Sequence, residues 1–161
     1  MGIHQPPKTR KSHVYGLFAA ADPEHYRQDQ RALGSRRRIL LAEDTHFFCK
    51  LMQQYLDHPE IELTVVYDGK QAWDLLQDPQ AGFDLVLSDI EMPVMNGFEL
   101  VRNIKGHPQL RSLPVIALTS LSDEESRRRG MKAGFDEYAV KIDKDSLLEM
   151  IFDTLFQRGR S

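Results

Sequence analysis

The chain has 161 residues, of which 41% are hydrophobic and 28% are charged, and its formal net charge is −3. This length suits about one domain with a short extension, and the composition excludes wholesale disorder and collagen-like or low-complexity architectures. The one cysteine, Cys49, excludes an internal disulfide framework. No apolar run reaches the roughly 18 residues of a membrane span, so we expect a cytoplasmic protein.

Residues 1–35 are predicted to form a linker or tail, mostly flexible. Prolines and glycines punctuate the segment, and the capping residue Asp22 followed by Pro23 predicts one short helix. Residues 1–38 carry eight Lys and Arg against three Asp and Glu, whereas the rest of the chain carries 13 against 21. The acidic body argues against nucleic-acid binding. For the basic arm, a solvated linker is favoured over contact with anionic lipid or nucleic acid.

Residues 36–158 alternate between strand-like and helix-like segments. Five apolar or β-branched runs predict strands: RRILLAED, IELTVVYD, FDLVLSD, LPVIALTS and FDEYAVK. The stretches between and after them predict helices: THFFCKLMQQYLDH, GKQAWDLLQD, GFELVRNIKGH, SDEESRRRGMKAG and KDSLLEMIFDTLFQR. In the first helix we expect a wide apolar stripe that includes Phe47 as well as Phe48. Five βα units in succession predict an α/β fold with a parallel sheet and helices on both faces.

Chemically capable residues follow the predicted strands where they end. Glu43 and Asp44 follow the first strand, Asp89 ends the third, Thr119 ends the fourth and Lys141 ends the fifth. Open α/β sheets bind ligands outside the carboxyl ends of their strands, near a switch in strand order. For the order 2-1-3-4-5 the switch lies between strands one and three, which would bring the three carboxylates together.

Such a cluster suits phosphoryl chemistry. Three neighbouring carboxylates repel one another and stay ionised only around a cation, and Mg²⁺ is expected because it takes oxygen ligands and retains waters. A lysine and a hydroxyl approaching from the other side would stabilise a transferring phosphoryl group. With no Ser-His-Asp triad or activated cysteine nearby, the available nucleophile is a carboxylate, which would form an aspartyl phosphate.

From about residue 36 to residue 157 the chain resembles a response-regulator receiver domain of two-component signalling. The site acids, the threonine and the lysine are separated by 45, 30 and 22 residues, which fits the family pattern. The resemblance implies a doubly wound, flavodoxin-like (βα)5 parallel sheet with strand order 2-1-3-4-5. It also implies a self-catalysed phosphoryl acceptor with autodephosphorylation rather than a classical enzyme. The matching motifs are AED (42–44), SDIEMPVMNG (88–97), LTS (118–120) and EYAVK (137–141).

The resemblance assigns a role to each matching residue. Asp89 would be phosphorylated, and Lys141 would pair with the phosphoryl oxygens. Mg²⁺ would be held by Asp89 together with Glu43, Asp44 and the backbone carbonyl of Glu91.

Two further residues would carry the response. Thr119 would bond to the phosphoryl group, and Tyr138 would be an aromatic switch, although its position also suits a plain packing residue. The implied partners are a histidine kinase, in the same chain or another, and a downstream protein bound by the face of helix four, strand five and helix five. A weak dimer is a further expectation.

Two stretches refine this interpretation. The family usually has proline after the lysine, whereas Ile142 follows Lys141 here, so the next loop is expected to be shaped differently. The D-x-E-M-P motif, which contains Glu91, and the DEYAVK-I-D stretch resemble receivers joined to chemotaxis-type histidine kinases. A chemotaxis-type pathway is therefore expected, in which the receiver switches a partner-binding face or acts as a phosphate sink.

Alternative interpretations stay open. A free-standing single-domain response regulator that binds a downstream protein is the main one, beside the terminal receiver of a larger kinase. Only 20 residues follow Lys141, so no C-terminal DNA-binding domain is expected. An Asp-nucleophile phosphatase of the haloacid-dehalogenase class would carry its paired acids on strand one rather than strand three. A receiver that acts only as a scaffold would lack Asp89, Lys141 or the acid pair.

Overall fold

The computed structural model describes residues 36–120 and 123–156. The chain divides into two units, Met1–Ser35 and Arg36–Ser161, and all the described residues belong to the second. The linker and the short helix predicted after Asp22 lie outside the described residues. Among the described helices, none combines the length and the apolar character that a membrane crossing requires.

Five strands and five helices alternate along the described chain. The strands are β1 (Arg37–Ala42), β2 (Ile61–Val66), β3 (Leu85–Asp89), β4 (Val115–Thr119) and β5 (Glu137–Val140). The helices are α1 (His46–Tyr55), α2 (Gly69–Leu76), α3 (Gly97–Gly106), α4 (Glu124–Ala133) and α5 (Lys144–Phe156). All neighbouring strands are parallel, and the sheet order is β2-β1-β3-β4-β5. The predicted doubly wound, flavodoxin-like α/β fold and its strand order are confirmed.

The three central strands of the sheet form the middle of the hydrophobic core. The apolar residues 39–42 of β1, 85–87 of β3 and 115–118 of β4 are all fully buried. Strands covered by helices on both faces need apolar side chains on both sides, which explains their unbroken apolar runs. Each fully buried Leu or Ile contributes about 1.5–3 kcal/mol. The buried strands therefore hold the residues at the carboxyl edge of the sheet in fixed positions.

Helix α1 buries a narrower face than its sequence suggests. Phe48, Cys49 and Met52 are buried, as is Leu56 just beyond the helix, whereas Phe47 is 72% exposed. Successive helical residues are about 100° apart, so a helix that places Phe48 on the sheet turns Phe47 aside. The expectation that Phe47 joins the buried stripe is wrong.

Polar side chains cap helices α2 and α3 at the carboxyl edge of the sheet. The Asn96 side chain accepts a hydrogen bond from the Glu99 backbone N–H (2.9 Å), and the Glu99 side chain accepts one from the Asn96 backbone N–H (2.9 Å). At the start of α2, Asp68 accepts a hydrogen bond from the backbone N–H of Gln71 (2.8 Å). Caps of this kind each contribute about 1 kcal/mol. They fix the points at which the loops pass into α2 and α3.

The loop between β3 and α3 lies tightly against its surroundings. The Gly97 N–H donates to the carbonyl of Ile90 (2.8 Å), and a Cβ at Gly97 would lie 2.3 Å from the carbonyl oxygen of Asp89. The Gly69 N–H donates to the carbonyl of Met95 (3.1 Å), and a Cβ at Gly69 would lie 2.4 Å from that oxygen. Only glycine fits either position without moving the loop.

Val94 lies in the same loop in a strained conformation. Its φ is +68°, and its side chain is 80% exposed. The Met95 N–H donates to the carbonyl of Pro93 (2.7 Å) across it, which closes a three-residue turn. A β-branched residue at positive φ is unfavourable, so the surrounding contacts must hold this turn in place.

Candidate functional site

The strand register brings three carboxylates to one place. Ala42 pairs with Ser88, so Glu43 and Asp44 leave β1 beside the point where Asp89 ends β3. Glu43, Asp44 and Asp89 each offer an oxygen, and these three oxygens lie within 4.8 Å of one another. The cluster expected from the strand ends is thus present in the described part of the chain.

Glu43 is fully buried and held from several sides. Its backbone N–H donates to the carbonyl of Val66 (3.0 Å), and its own carbonyl accepts a hydrogen bond from the Cys49 thiol (3.3 Å). Its Oε1 accepts a hydrogen bond from the Thr45 backbone N–H (3.0 Å). Its Oε2 has no aligned hydrogen-bond donor among the described residues and instead forms an ion pair with Lys141. The orientation of this carboxylate is therefore fixed.

Lys141 lies between two carboxylates. Its Nζ is 2.5 Å from Oε2 of Glu43 and 3.5 Å from Oδ1 of Asp89, and its side chain is only 14% exposed. Its backbone N–H donates to the carbonyl of Thr119 (2.7 Å), which extends the pairing of β4 and β5 by one step. The cluster of three carboxylates contains one ammonium, so the site is short of positive charge when all three carboxylates are ionised.

Both burial and this shortage of positive charge affect the pKa of Asp89. Burial and the neighbouring Glu43 raise that pKa from its ordinary 3.8 to about 6, against the opposing effects of Lys141 and of the Ile90 backbone N–H. The Ile90 N–H donates to Oδ1 of Asp89 (2.8 Å). The Asp89 side chain is 13% exposed, so it is largely desolvated but still reachable from solvent. A cation bound beside such a carboxylate would stabilise its ionised form.

The donor set fits a hard divalent cation. All three candidate ligands are carboxylate oxygens, and Asp44 is exposed, which leaves room for the waters that Mg²⁺ retains. The backbone of Glu91 lies two residues beyond Asp89 at the start of the β3–α3 loop, and its side chain is exposed. His46 is not part of the cluster, and its ring instead lies 4.8 Å from that of Tyr67.

The two expected response residues are both buried. Thr119 ends β4, one residue beyond the Leu118 that pairs with Asp89. Tyr138 belongs to the hydrophobic core cluster, and a Cβ at Gly130 of α4 would lie 3.1 Å from its ring. The tyrosine ring is therefore already turned inward, against the spot on α4 that lacks a side chain.

The segment after Lys141 is shaped without proline. The peptide bond between Lys141 and Ile142 is trans, and the Ile142 side chain is 89% exposed. The Asp143 backbone N–H donates to the carbonyl of Val140 (3.1 Å), and its side chain accepts a hydrogen bond from the Ser146 N–H (3.2 Å). Asp143 thus closes the turn and caps α5.

Phe48 is a site residue that sequence reasoning missed. Its spacing places it in the apolar stripe of α1, and it is indeed buried, but its ring also lies 4.9 Å from Nζ of Lys141. An aromatic residue four positions after Asp44, one helical turn from the strand end, is the signal that could have identified it.

Comparison with known proteins identifies the family. The family described as response regulator receiver domain matches residues 39–152, about seven-tenths of the chain. The chain therefore belongs to this family and is a receiver domain of a two-component phosphorelay. Receiver domains are in general phosphoryl acceptors rather than enzymes.

Individual relatives agree with this family. The chain is 34% identical over 112 residues to a gliding motility regulatory protein of Myxococcus xanthus, covering 70% of this chain and 14% of that one. Three curated relatives are matched over 14–44% of their own lengths, so the chain spans less than half of each.

Solved structures show the same fold. The signal receiver domain of a signal transduction histidine kinase from Syntrophus aciditrophicus is 32% identical, with a TM-score of 0.67 over 77% of this chain and 92% of that one. The receiver domain of a Pseudomonas aeruginosa sensor histidine kinase is 28% identical, with a TM-score of 0.65 over 75% of this chain and 98% of that one. That second structure has a magnesium ion coordinated in its active site cleft.

Proposed function

We propose that this receiver accepts a phosphoryl group on Asp89 from the phosphohistidine of a kinase, with Mg²⁺ bound. The observation that carries the proposal is the position of Asp89 beside two further carboxylates and within 3.5 Å of the Lys141 ammonium. An Asp89 oxygen attacks phosphorus, a P–O bond forms and the P–N bond breaks. The bonding electron pair stays on the imidazole nitrogen, which takes up a proton.

Each neighbour has a part in this step. Glu43, Asp44, Asp89 and the backbone carbonyl of Glu91 would hold the magnesium ion. When bound, Mg²⁺ supplies positive charge to the phosphoryl oxygens and offsets the repulsion among the carboxylates. Lys141 approaches the same oxygens from the β5 side, and the buried surroundings strengthen this attraction.

Phosphorylation would be transmitted through Thr119 and Tyr138. A phosphoryl group on Asp89 adds negative charge and acceptor oxygens one strand away from Thr119. The Thr119 hydroxyl would turn towards it, and the packing of the Tyr138 ring against Gly130 would change with it. The α4–β5–α5 face, which would bind a downstream protein or form a weak dimer, would then shift between two states.

The chemotaxis-type pathway is proposed from two sequence motifs. The D-x-E-M-P and DEYAVK-I-D stretches support a chemotaxis-type histidine kinase as phosphodonor, in the same chain or another, with the receiver switching a partner face or acting as a phosphate sink. A free-standing response regulator is the alternative. A cytoplasmic location suits both.

We further propose that residues 1–35 are a linker and residues 36–158 the receiver domain. Such a linker would hold the receiver near its kinase at high effective concentration, so transfer need not depend on tight docking. Deleting residues 1–34 should leave the melting temperature and phosphoryl labelling nearly unchanged. Loss of either would show that the arm is part of the domain.

The acceptor assignment is tested by mass spectrometry after incubation with acetyl phosphate and Mg²⁺. The wild type should gain one phosphoryl group, and Asp89→Asn should gain none. The matched control is Asp84→Asn, because Asp84 precedes β3 at the opposite edge of the sheet, where it accepts a hydrogen bond from the Arg38 N–H (2.8 Å). That variant should be labelled like the wild type. A phosphoryl adduct that persists in Asp89→Asn, or that forms as fast in EDTA, would contradict the assignment of Asp89 as the acceptor.

A further inference from the structure

The Lys141 ammonium lies beside an aromatic ring as well as its two carboxylate partners. The ring centroid of Phe48 lies 4.9 Å from Nζ of Lys141, within the range in which an aromatic ring attracts an ammonium group. Phe48 is buried, and the Lys141 side chain is only 14% exposed. An attraction of this kind is stronger when both groups are shielded from water.

The carboxylate partners hold Lys141 less firmly once a cation arrives. Glu43 is both the nearest partner of the ammonium, at 2.5 Å, and a candidate metal ligand. A bound divalent cation withdraws negative charge from Glu43, and so weakens its hold on Lys141. The Phe48 ring offers no ligand to a metal, so its attraction for the ammonium is the same with and without the cation.

We infer that Phe48 is a positioning residue for the phosphoryl step, which keeps the Lys141 ammonium beside Asp89 while the cation occupies the carboxylates. This inference rests on the proposed function and names a residue that the family's acid, lysine and threonine motifs do not contain. A lysine side chain is long and flexible, and its ammonium, unlike the planar guanidinium of arginine, does not hold its partners in one geometry. A ring face that restricts it would therefore raise the fraction of molecules ready to accept the phosphoryl group.

The test compares acetyl phosphate labelling rates, per folded protein and with saturating Mg²⁺, for wild type, Phe48→Leu and Phe48→Tyr. Leucine keeps an apolar side chain on the core but has no ring face, whereas tyrosine keeps the face. The strength of such pairs corresponds to about a 2- to 30-fold effect, and we expect Phe48→Leu to slow labelling by about fivefold. Phe48→Tyr should stay within about twofold of wild type. Mg²⁺ affinity, measured by calorimetry, should change less than twofold in both.

A variant that lacks the Lys141 ammonium distinguishes a positioning role of Phe48 from a packing role. In Lys141→Gln, whose amide can still donate to the buried Glu43, adding Phe48→Leu should change the slow residual labelling less than twofold. A full fivefold loss in that background would overturn the inference, because it would show that the ring acts through packing alone. So would a parallel loss of Mg²⁺ affinity, or wild-type labelling of Phe48→Leu. If Phe48→Leu does not fold, Phe48→Met takes its place with the same expectations.

The proposed function and this inference fail in different ways. A wild-type protein that gains no phosphoryl group would overturn the proposed function and this inference together. A labelled wild type with unaffected Phe48 variants would overturn this inference alone.

Discussion

Replacing Asp89 with asparagine should make the metal-free protein more stable at neutral and basic pH. Asp89 is largely desolvated beside the buried Glu43, and these two influences raise its pKa. Asparagine has the same shape without the charge, and its side-chain oxygen can still accept the hydrogen bond from the Ile90 N–H. Lys141 keeps its closer partner, Glu43, in the variant.

The size and sign of the effect follow from the pKa. An aspartate whose pKa is raised from 3.8 to about 6 binds its proton more tightly in the folded state, so its ionisation lowers stability as pH rises through that interval. At about 1.4 kcal/mol per pKa unit, the full cost reaches about 3 kcal/mol above pH 6 and falls to about 1 kcal/mol near pH 4.5. Asp89→Asn removes this cost, so its advantage should be largest at pH 8 and shrink in acid.

Urea unfolding in EDTA at pH 8 and at pH 4.5 measures the difference between variant and wild type. The matched control is Asp74→Asn, since Asp74 is exposed on α2, where it forms a surface ion pair with Lys70. That change should alter the free energy of unfolding by less than about 0.5 kcal/mol at either pH. Adding Mg²⁺ should stabilise wild type more than Asp89→Asn. A destabilised Asp89→Asn at pH 8, or a difference that does not depend on pH, would refute the reasoning.

Three further predictions concern the loops and the cation. Val94→Gly should raise the free energy of unfolding by about 0.5–2 kcal/mol in urea titrations, because glycine accepts the φ of +68°; an unchanged or lower value would show that the turn is not strained. Gly97→Ala should lower the free energy of unfolding by more than about 2 kcal/mol and slow acetyl phosphate labelling, since its Cβ would meet the Asp89 carbonyl oxygen at 2.3 Å; unaltered stability would contradict the tight fit. Millimolar MgCl₂ should raise the melting temperature of the wild type, whereas Asp44→Asn should lose most of that rise; an equal rise in both would exclude Asp44 as a ligand.

The strands, and the edge of the sheet at which the candidate site lies, could be predicted because they depend on local sequence. Unbroken apolar runs occur where helices cover both faces of a strand, as in β3 and β4, and such runs end where polar residues begin. Asp89 and Thr119 stand at those ends, so their meeting at one edge follows from parallel pairing alone. The same reasoning placed Glu43 and Lys141 near them.

Other features depend on tertiary contacts that no local pattern encodes. The burial of Phe48 rather than Phe47 depends on how α1 is rotated against the sheet. The ion pair between Lys141 and Glu43 depends on which of the carboxylates at the carboxyl edge of the sheet the lysine side chain contacts. The positive φ of Val94 depends on the anchoring of its loop by Gly97, because a β-branched residue does not favour that conformation by itself.

The contact between Gly69 and Met95 bears on how this sequence can vary. Strand β2 offers no side chain to the carboxylate cluster, yet the turn that follows it touches the acceptor loop through backbone atoms. A Cβ at Gly69 would meet the carbonyl oxygen of Met95, an atom that every amino acid carries. Changing the side chain of residue 95 would therefore not ease the restriction at residue 69. Residue 69 is thus restricted to glycine by backbone packing alone, although it contributes no side chain to the site.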